Sequence, residues 1–409
     1  MFINFNTEGI NIYFLCPFAS FFFLVGASYA AGYSYFGKNA YTQNIFVSFG
    51  EMLAIIPHLL SVKIDKNTYN NKSERASLNK DLNSSNTKKS LIIPLEYTNL
   101  EEEIKDISPY KILLLGFIDY LQSLCFFYGN YYTNYQIYFW SSHIFFLCLF
   151  TRCLLIKRLY RHQIISFIIF ICLDLLHIIF VLLDDFIKLK KIIFIFLLIS
   201  NICFSFELVF EKILMENNFI SIYKLCFLIG LTTFIINLIV SILMTIIAHN
   251  VSEKPDFIFD FSEYFNEMSE NIVMEIILII IYMVLTGLYN IFQFLTIKRL
   301  SPNHALITQI MLAFYCSIMN LLLIDMEVVT SIISIVFHSL CIIVLLIFLE
   351  VIELKFCGID QDTVHNISKR ADMENNLRTL SVGSFNGSEV DENNNSRNES
   401  FSEREESIS

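Results

Sequence analysis

Apolar residues along this chain fall into blocks of about twenty or more, the length a helix rising about 1.5 Å per residue needs to cross a hydrocarbon core about 30 Å thick. The blocks predict ten helices, at 12–36, 40–62, 110–130, 134–156, 163–183, 191–212, 220–248, 271–296, 303–323 and 328–352. Most connections between them are short, which predicts antiparallel neighbours in a bundle. Two stretches break the pattern. Residues 63–109, with SERASLNKDLNSSNTKKS, and the tail over 353–409, with NNNSRNESFSEREES, are polar and lack helical periodicity. Both are too poor in apolar surface to fold alone and read as disordered. The chain therefore divides into a short N-terminus (1–11), a first helix pair (12–62), a polar loop (63–109), eight further helices (110–352) and an acidic tail (353–409).

Composition agrees with this division. The 409 residues are 55% hydrophobic and 16% charged, where a soluble domain holds roughly 25% charged residues. The expected class is an all-α polytopic membrane protein embedded in a lipid bilayer. The net charge of −11 sits largely in the termini and loops, which argues against a nucleic-acid partner. The ten cysteines show no CxxC or Cys/His metal spacing, so they read as reduced, buried thiols, and no metal or cofactor is expected. The first apolar block lacks the basic region of a cleavable signal and is expected to stay as a span.

Lys and Arg counts orient the bundle. With both termini cytoplasmic, the inner loops hold Lys63, Lys66, Lys72, Arg75, Lys80, Lys88, Lys89, Lys105, Lys157, Arg158, Arg161, Lys212, Lys298 and Arg299. The outer loops hold only Lys38, Lys188, Lys190, Lys191 and Lys254. The acidic stretch EKPDFIFDFSEYFNEMSE then lies on the outer or lumenal side.

Polar groups inside the spans carry the candidate chemistry. A carboxylate at a helix centre costs roughly 2.5–3.5 kcal/mol on insertion scales, and such residues face a cavity or the bundle interior. Glu51 sits midway along the second block and Asp119 midway along the third. Asp174 and His177 lie one turn apart in the fifth, on one face. Glu207 and Glu211 lie four apart in the sixth; Glu211, beside Lys212, reads as an interfacial ion pair. Asn237, Asn290, Gln293, Gln309 and Asn320 supply amides. Each of these groups has a plainer alternative as hydrogen-bonding glue between helices, and His58, His143 and His338 read as structural. In the first block, GASYAAG places small residues four apart, a signal for close helix packing.

Several segments together resemble the drug/metabolite transporter superfamily, in its solute carrier family 35 subfamily F branch, related to the chloroquine-resistance-type transporters. QNIFVSFGE is similar to the family's second-helix pattern, here with Gln43, Gly50 and Glu51. FIDYLQSLCFFYGNYYTN is similar to its third helix with one Asp, here Asp119. FELVFEKILMENNFISIYKLCFLIG resembles the junction of the sixth and seventh helices, with Glu211 at a recurring Glu. TGLYNIFQFLTIKRLS resembles the end of the eighth, with Asn290 and Ser301. The resemblance implies ten helices in two five-helix inverted repeats around a central cavity, and a vacuolar, lysosomal or other internal membrane. The chain departs from the family where a fourth-helix Arg is expected, at Ser141 and Ser142. In the ninth helix, Ala305, Gln309 and Leu312 stand in place of Arg, Asp and Arg. The cavity has lost basic groups and kept acidic ones, which disfavours anionic solutes.

The expected function is secondary transport of a small organic solute, cationic or zwitterionic, by alternating access with possible coupling to protons. Glu51, Asp119, Asn290, Asp174, His177, Glu207 and Gln309 would line the cavity. The alternative is a non-transporting receptor or scaffold that keeps the transporter fold. An intramembrane enzyme is the weakest reading: Asp174–His177 is the nearest thing to an acid–base pair, and HExxH, GxSxG and P-loop patterns are absent.

Overall fold

The computed structural model describes residues 3–5, 15–34, 40–60, 108–132, 142–156, 160–183, 191–217, 220–250, 272–323 and 328–354. These form ten helices: α1 (Cys16–Gly32), α2 (Ala40–Met52), α3 (Pro109–Tyr132), α4 (Ser142–Leu154), α5 (Arg161–Leu183), α6 (Lys191–Asn217), α7 (Ile222–Asn250), α8 (Ile272–Arg299), α9 (Pro302–Leu323) and α10 (Val328–Phe348). A turn at Leu53–Ala54 follows α2, and the helix resumes over 55–60. The predicted blocks and these helices match in number and order. Most of the segments predicted as disordered, 63–107 and 355–409, lie outside the described residues, as do the acidic stretch after α7 and most of the outer-loop lysines; at their edges the prediction is corrected, since Pro109 opens α3 and Glu353 and Leu354 belong to a short strand.

Local chemistry sets several helix ends. Proline opens α3 and α9 and lies in the first turn of α1, where its missing N–H removes no helical bond. Lys298 and Arg299 close α8, favourably placed against the negative end of the helix dipole. Glu350 ends α10 in the left-handed region, with φ of 61°. Its N–H reaches the Ile347 carbonyl at 3.1 Å, and that of Val351 reaches Leu346 at 2.9 Å, the paired bonds of a Schellman cap. Beyond it, β2 (Ile352–Leu354) pairs antiparallel with β1 (Ile3–Phe5), Ile3 opposite Leu354.

The distribution of side chains is that of a membrane protein. Five stretches, Ala40–Leu60, Pro109–Gly129, Ile222–Ile247, Ile272–Arg299 and Ser331–Phe348, are long and apolar enough to cross a bilayer, and α1 and α4 are shorter apolar helices. On α7 the exposed face carries Ile235, Ile239, Ile242 and Ile246, whereas Gly230, Thr233, Asn237 and Ser241 are buried. Water would favour the reverse. In lipid the large apolar residues can face outward, while small and hydroxyl-bearing ones let helices approach and hydrogen-bond. Asn237 follows this logic, with its amide Nδ2 3.5 Å from the Tyr41 carbonyl oxygen of α2.

At the centre α2 packs on α7, α2 also crosses α8, and α7 also crosses α3. Outside them, α1 lies along α8 and α3 along α6, α4 covers α6, α9 covers α1, and α5 packs on α10. The largest dry core gathers Leu208, Leu225, Ile297, Leu306 and Phe348 at one end of the bundle. Beside it, the Lys212 ammonium donates to the Lys298 carbonyl at 3.0 Å and that of Lys298 to Ile220 at 3.3 Å.

Candidate functional site

Glycines set the depth at which the central helices meet. Gly50 of α2 abuts Gly287 of α8: a Cβ on Gly287 would stand 2.5 Å from the Gly50 carbonyl oxygen and 3.2 Å from its carbonyl carbon. Glu51 comes one residue after Gly50, and Asn290 three after Gly287. The Asn290 amide donates to Glu51 Oε1 at 2.7 Å. A second crossing uses the same spacing with other side chains. At Gly116 of α3 a Cβ would meet Thr232 Cβ of α7 at 2.6 Å. Asp119 comes three residues after Gly116, and Thr233 one after Thr232. The Thr233 hydroxyl donates to Asp119 Oδ2 at 2.6 Å and lies 3.0 Å from the Gly116 carbonyl oxygen. Between the two crossings, α7 meets α2 at Gly230, where a Cβ would stand 2.9 Å from the Ser48 carbonyl oxygen.

Two acidic side chains thus reach the same interior from neighbouring helices, each with one oxygen held by a neutral donor. Glu207 and Glu211 reach it from α6. The four carboxyl groups are 6%, 4%, 7% and 1% exposed for Glu51, Asp119, Glu207 and Glu211, and all line one cavity of about 530 Å³. They are close enough to sense one another's charge. Glu51 Oε2 and Glu211 Oε2 are buried without a hydrogen-bond partner. No Lys or Arg occurs among the described lining residues.

The carboxyl groups share the lining with Asn290, Gln293 and Gln309, whose amide donates to the Tyr289 hydroxyl at 3.1 Å. Apolar walls come from Leu24, Ala27, Ala31, Phe126, Phe127 and Leu312, with the polar Ser28, Gln43, Gln122 and Ser123 among them, and the lining reaches Gly32, Ala40 and Met319. Gly32 is exposed and a Cβ there would meet nothing within 4 Å, so the hollow approaches the surface at the α1–α2 end. The dry core around Leu208 and Leu225 closes the opposite end. Tyr29 and Tyr315 join α1 to α9 through their hydroxyl groups on the mouth side.

Five residues predicted from the sequence therefore come together: Glu51, Asp119, Glu207, Asn290 and Gln309. Asp174 does not join them. It is half-buried on α5, whose partners are α10 and α4, and it lies near Cys341 of α10 rather than in the cavity lining. The His177 side chain lies outside the described residues. The expected ion pair of Glu211 with Lys212 is also corrected: Lys212 bonds Glu216 at 3.1 Å, and Glu211 turns into the cavity. His58, read as structural, lies 3.3 Å from the Ser221 hydroxyl, and His338, read likewise, contacts Ser334 and Ser317; neither is in the cavity lining. His143 instead lines the cavity, with a ring nitrogen 3.4 Å from the Asn201 carbonyl oxygen. Gln43 of the second-helix motif lines it as well, and so do Gln122 and Tyr289, which did not stand out in the sequence.

Chemically, the lining combines four carboxyl groups with amide and hydroxyl groups, and its described residues bring no fixed positive charge. No cluster of metal-ligating side chains occurs among the described residues. Acidic groups buried this way need a proton or a cation to offset the loss of water. No protein-family model matches the chain, and no curated protein matches it.

Proposed function

We propose that this protein is a secondary transporter for a small organic cation or zwitterion, which binds between Glu51 and Asp119. The observation that carries the reading is the pair of anchored carboxylates facing one cavity without a basic side chain. Each keeps an oxygen for a visitor while Asn290 or Thr233 holds the other, so the acids are oriented before a ligand arrives. An ammonium group supplies the missing positive charge, and the Phe126, Phe127 and Leu312 walls accept its apolar part. An anion would find only like charge.

The same reading treats the ten helices as ten spans in two inverted five-helix repeats, α1–α5 and α6–α10. Its support is a regularity of contacts. Moving five helices along the chain turns α1 on α8 into α6 on α3, α2 on α8 into α7 on α3, and α4 on α6 into α9 on α1. The same shift takes Gly116–Asp119 to Gly287–Asn290, and Gly50–Glu51 to Thr232–Thr233. Rocking of the two halves about this shared level would expose the site to each side in turn. The Lys and Arg distribution puts both termini in the cytoplasm, and the family resemblance points to an internal membrane.

Reconstituted vesicles test the function. Radiolabelled choline is expected to accumulate under a pH gradient, and gluconate is not. The double variant Glu51→Gln with Asp119→Asn is expected to lose both the uptake and its pH dependence. Unchanged choline uptake in that variant rejects the reading; absence of flux for choline and glycine betaine in the wild type favours a receptor or scaffold.

A further inference from the structure

Glu207 and Glu211 stand four residues apart on one face of α6, a spacing that sets side chains next to each other; both are buried and line the cavity, and Glu211 Oε2 has no hydrogen-bond partner. An ionised carboxylate only accepts, so two such neighbours can bond to each other only when one of them carries a proton. No cation substitutes for it. Lys212, next in the chain, is occupied by Glu216 and by the Lys298 carbonyl. The titratable groups around the pair are Glu51 of α2, Asp119 of α3, His143 of α4, Cys226 of α7 and Tyr289 of α8, with Cys203 on α6 itself. None bears a fixed positive charge. Glu51 and Asp119 differ from the α6 pair, because each is held by a neutral donor from another helix and needs no proton to be held.

We propose that Glu207 and Glu211 share one proton and form the proton-binding site of this protein, distinct from the Glu51–Asp119 site for the solute's charge. The coupling role rests on the transport reading; the shared proton does not. When the proton leaves the α6 pair for cavity water, two adjacent carboxylates remain, and their mutual repulsion disfavours that state. A monovalent organic cation entering between Glu51 and Asp119 offsets it. One positive charge arrives as one departs, so the exchange is electroneutral and independent of membrane potential.

Infrared spectroscopy of the full-length protein in nanodiscs tests the proton directly. A carboxylic C=O stretch, shifting in D₂O, is expected in the wild type. It is expected to vanish in Glu207→Gln and Glu211→Gln, and to persist in Glu51→Gln and Asp119→Asn. Glu211→Asp, which keeps a carboxyl group, is expected to retain it and controls for folding. In proteoliposomes, Glu211→Gln is expected to lose pH-driven choline accumulation in greater proportion than choline–choline exchange. A missing wild-type band, a band that survives in the Glu207→Gln/Glu211→Gln double variant, or one that disappears with Glu51→Gln overturns the proposal. A wild type that carries no choline sinks the transport reading alone, and the band then decides the shared proton.

Discussion

Asn290 of α8 donates to Glu51 of α2 at 2.7 Å, one turn beyond the point where Gly287 of α8 meets Gly50 of α2. The backbone approach and the side-chain bond depend on each other. Helices held further apart could not bring a short Asn amide to a Glu carboxylate, and without that bond a buried acid would lie unsupported at the crossing.

Gly287→Ala is therefore expected to disrupt the crossing. Its methyl group would meet backbone, which cannot swing aside as a side chain can. Overpacking of this kind costs about 1–3 kcal/mol. Thermal unfolding in detergent should show a clear fall in melting temperature, whereas Gly32→Ala, where space is open, should leave it unchanged.

Thr233→Val keeps the shape of the side chain and removes the donor to Asp119. A buried acceptor left unsatisfied costs about 1–3 kcal/mol. A lower melting temperature is expected, and Thr233→Ser, which restores the hydroxyl, should recover most of it.

Gln309→Arg places a guanidinium among the four carboxyl groups. The variant is expected to be at least as stable as the wild type, because the acids gain a resident partner, yet to lose choline uptake by about tenfold or more, equivalent to about 1.4 kcal/mol per tenfold. Stability and uptake moving in opposite directions would separate this effect from misfolding.

Ile239→Lys puts a charge on the outward stripe of α7. A Lys near the centre of a span costs about 2.5–3.5 kcal/mol on insertion scales. Reduced membrane integration in a translocation assay is expected, with Ile239→Leu unaffected. Equal integration of the two would deny that this face meets lipid.

Much of the bundle was legible because apolar blocks of span length announce helices whatever their packing. Glu51 and Asp119 were legible for a related reason: a carboxylate within such a block is expensive and needs a destination. The rotational phase of each helix was not. Glu211 was misread through its chain neighbour, although successive helical residues point about 100° apart, so Lys212 can face the bundle end while Glu211 faces the hollow. Asp174 looked equivalent to Asp119 in its block, but α5 packs at the periphery with α10. Gln122 and Tyr289 could not be distinguished from amides or tyrosines that join helices or mark a membrane boundary, because lining a cavity leaves no mark on composition.

The short ladder between Ile3–Phe5 and Ile352–Leu354 has a topological consequence. Main-chain bonds of this kind cannot be strung through a lipid layer, so residues 3–5 and 352–354 are expected on the same side of any membrane the bundle crosses. Halves of a split reporter fused before residue 1 and after residue 354 would then meet on a single face.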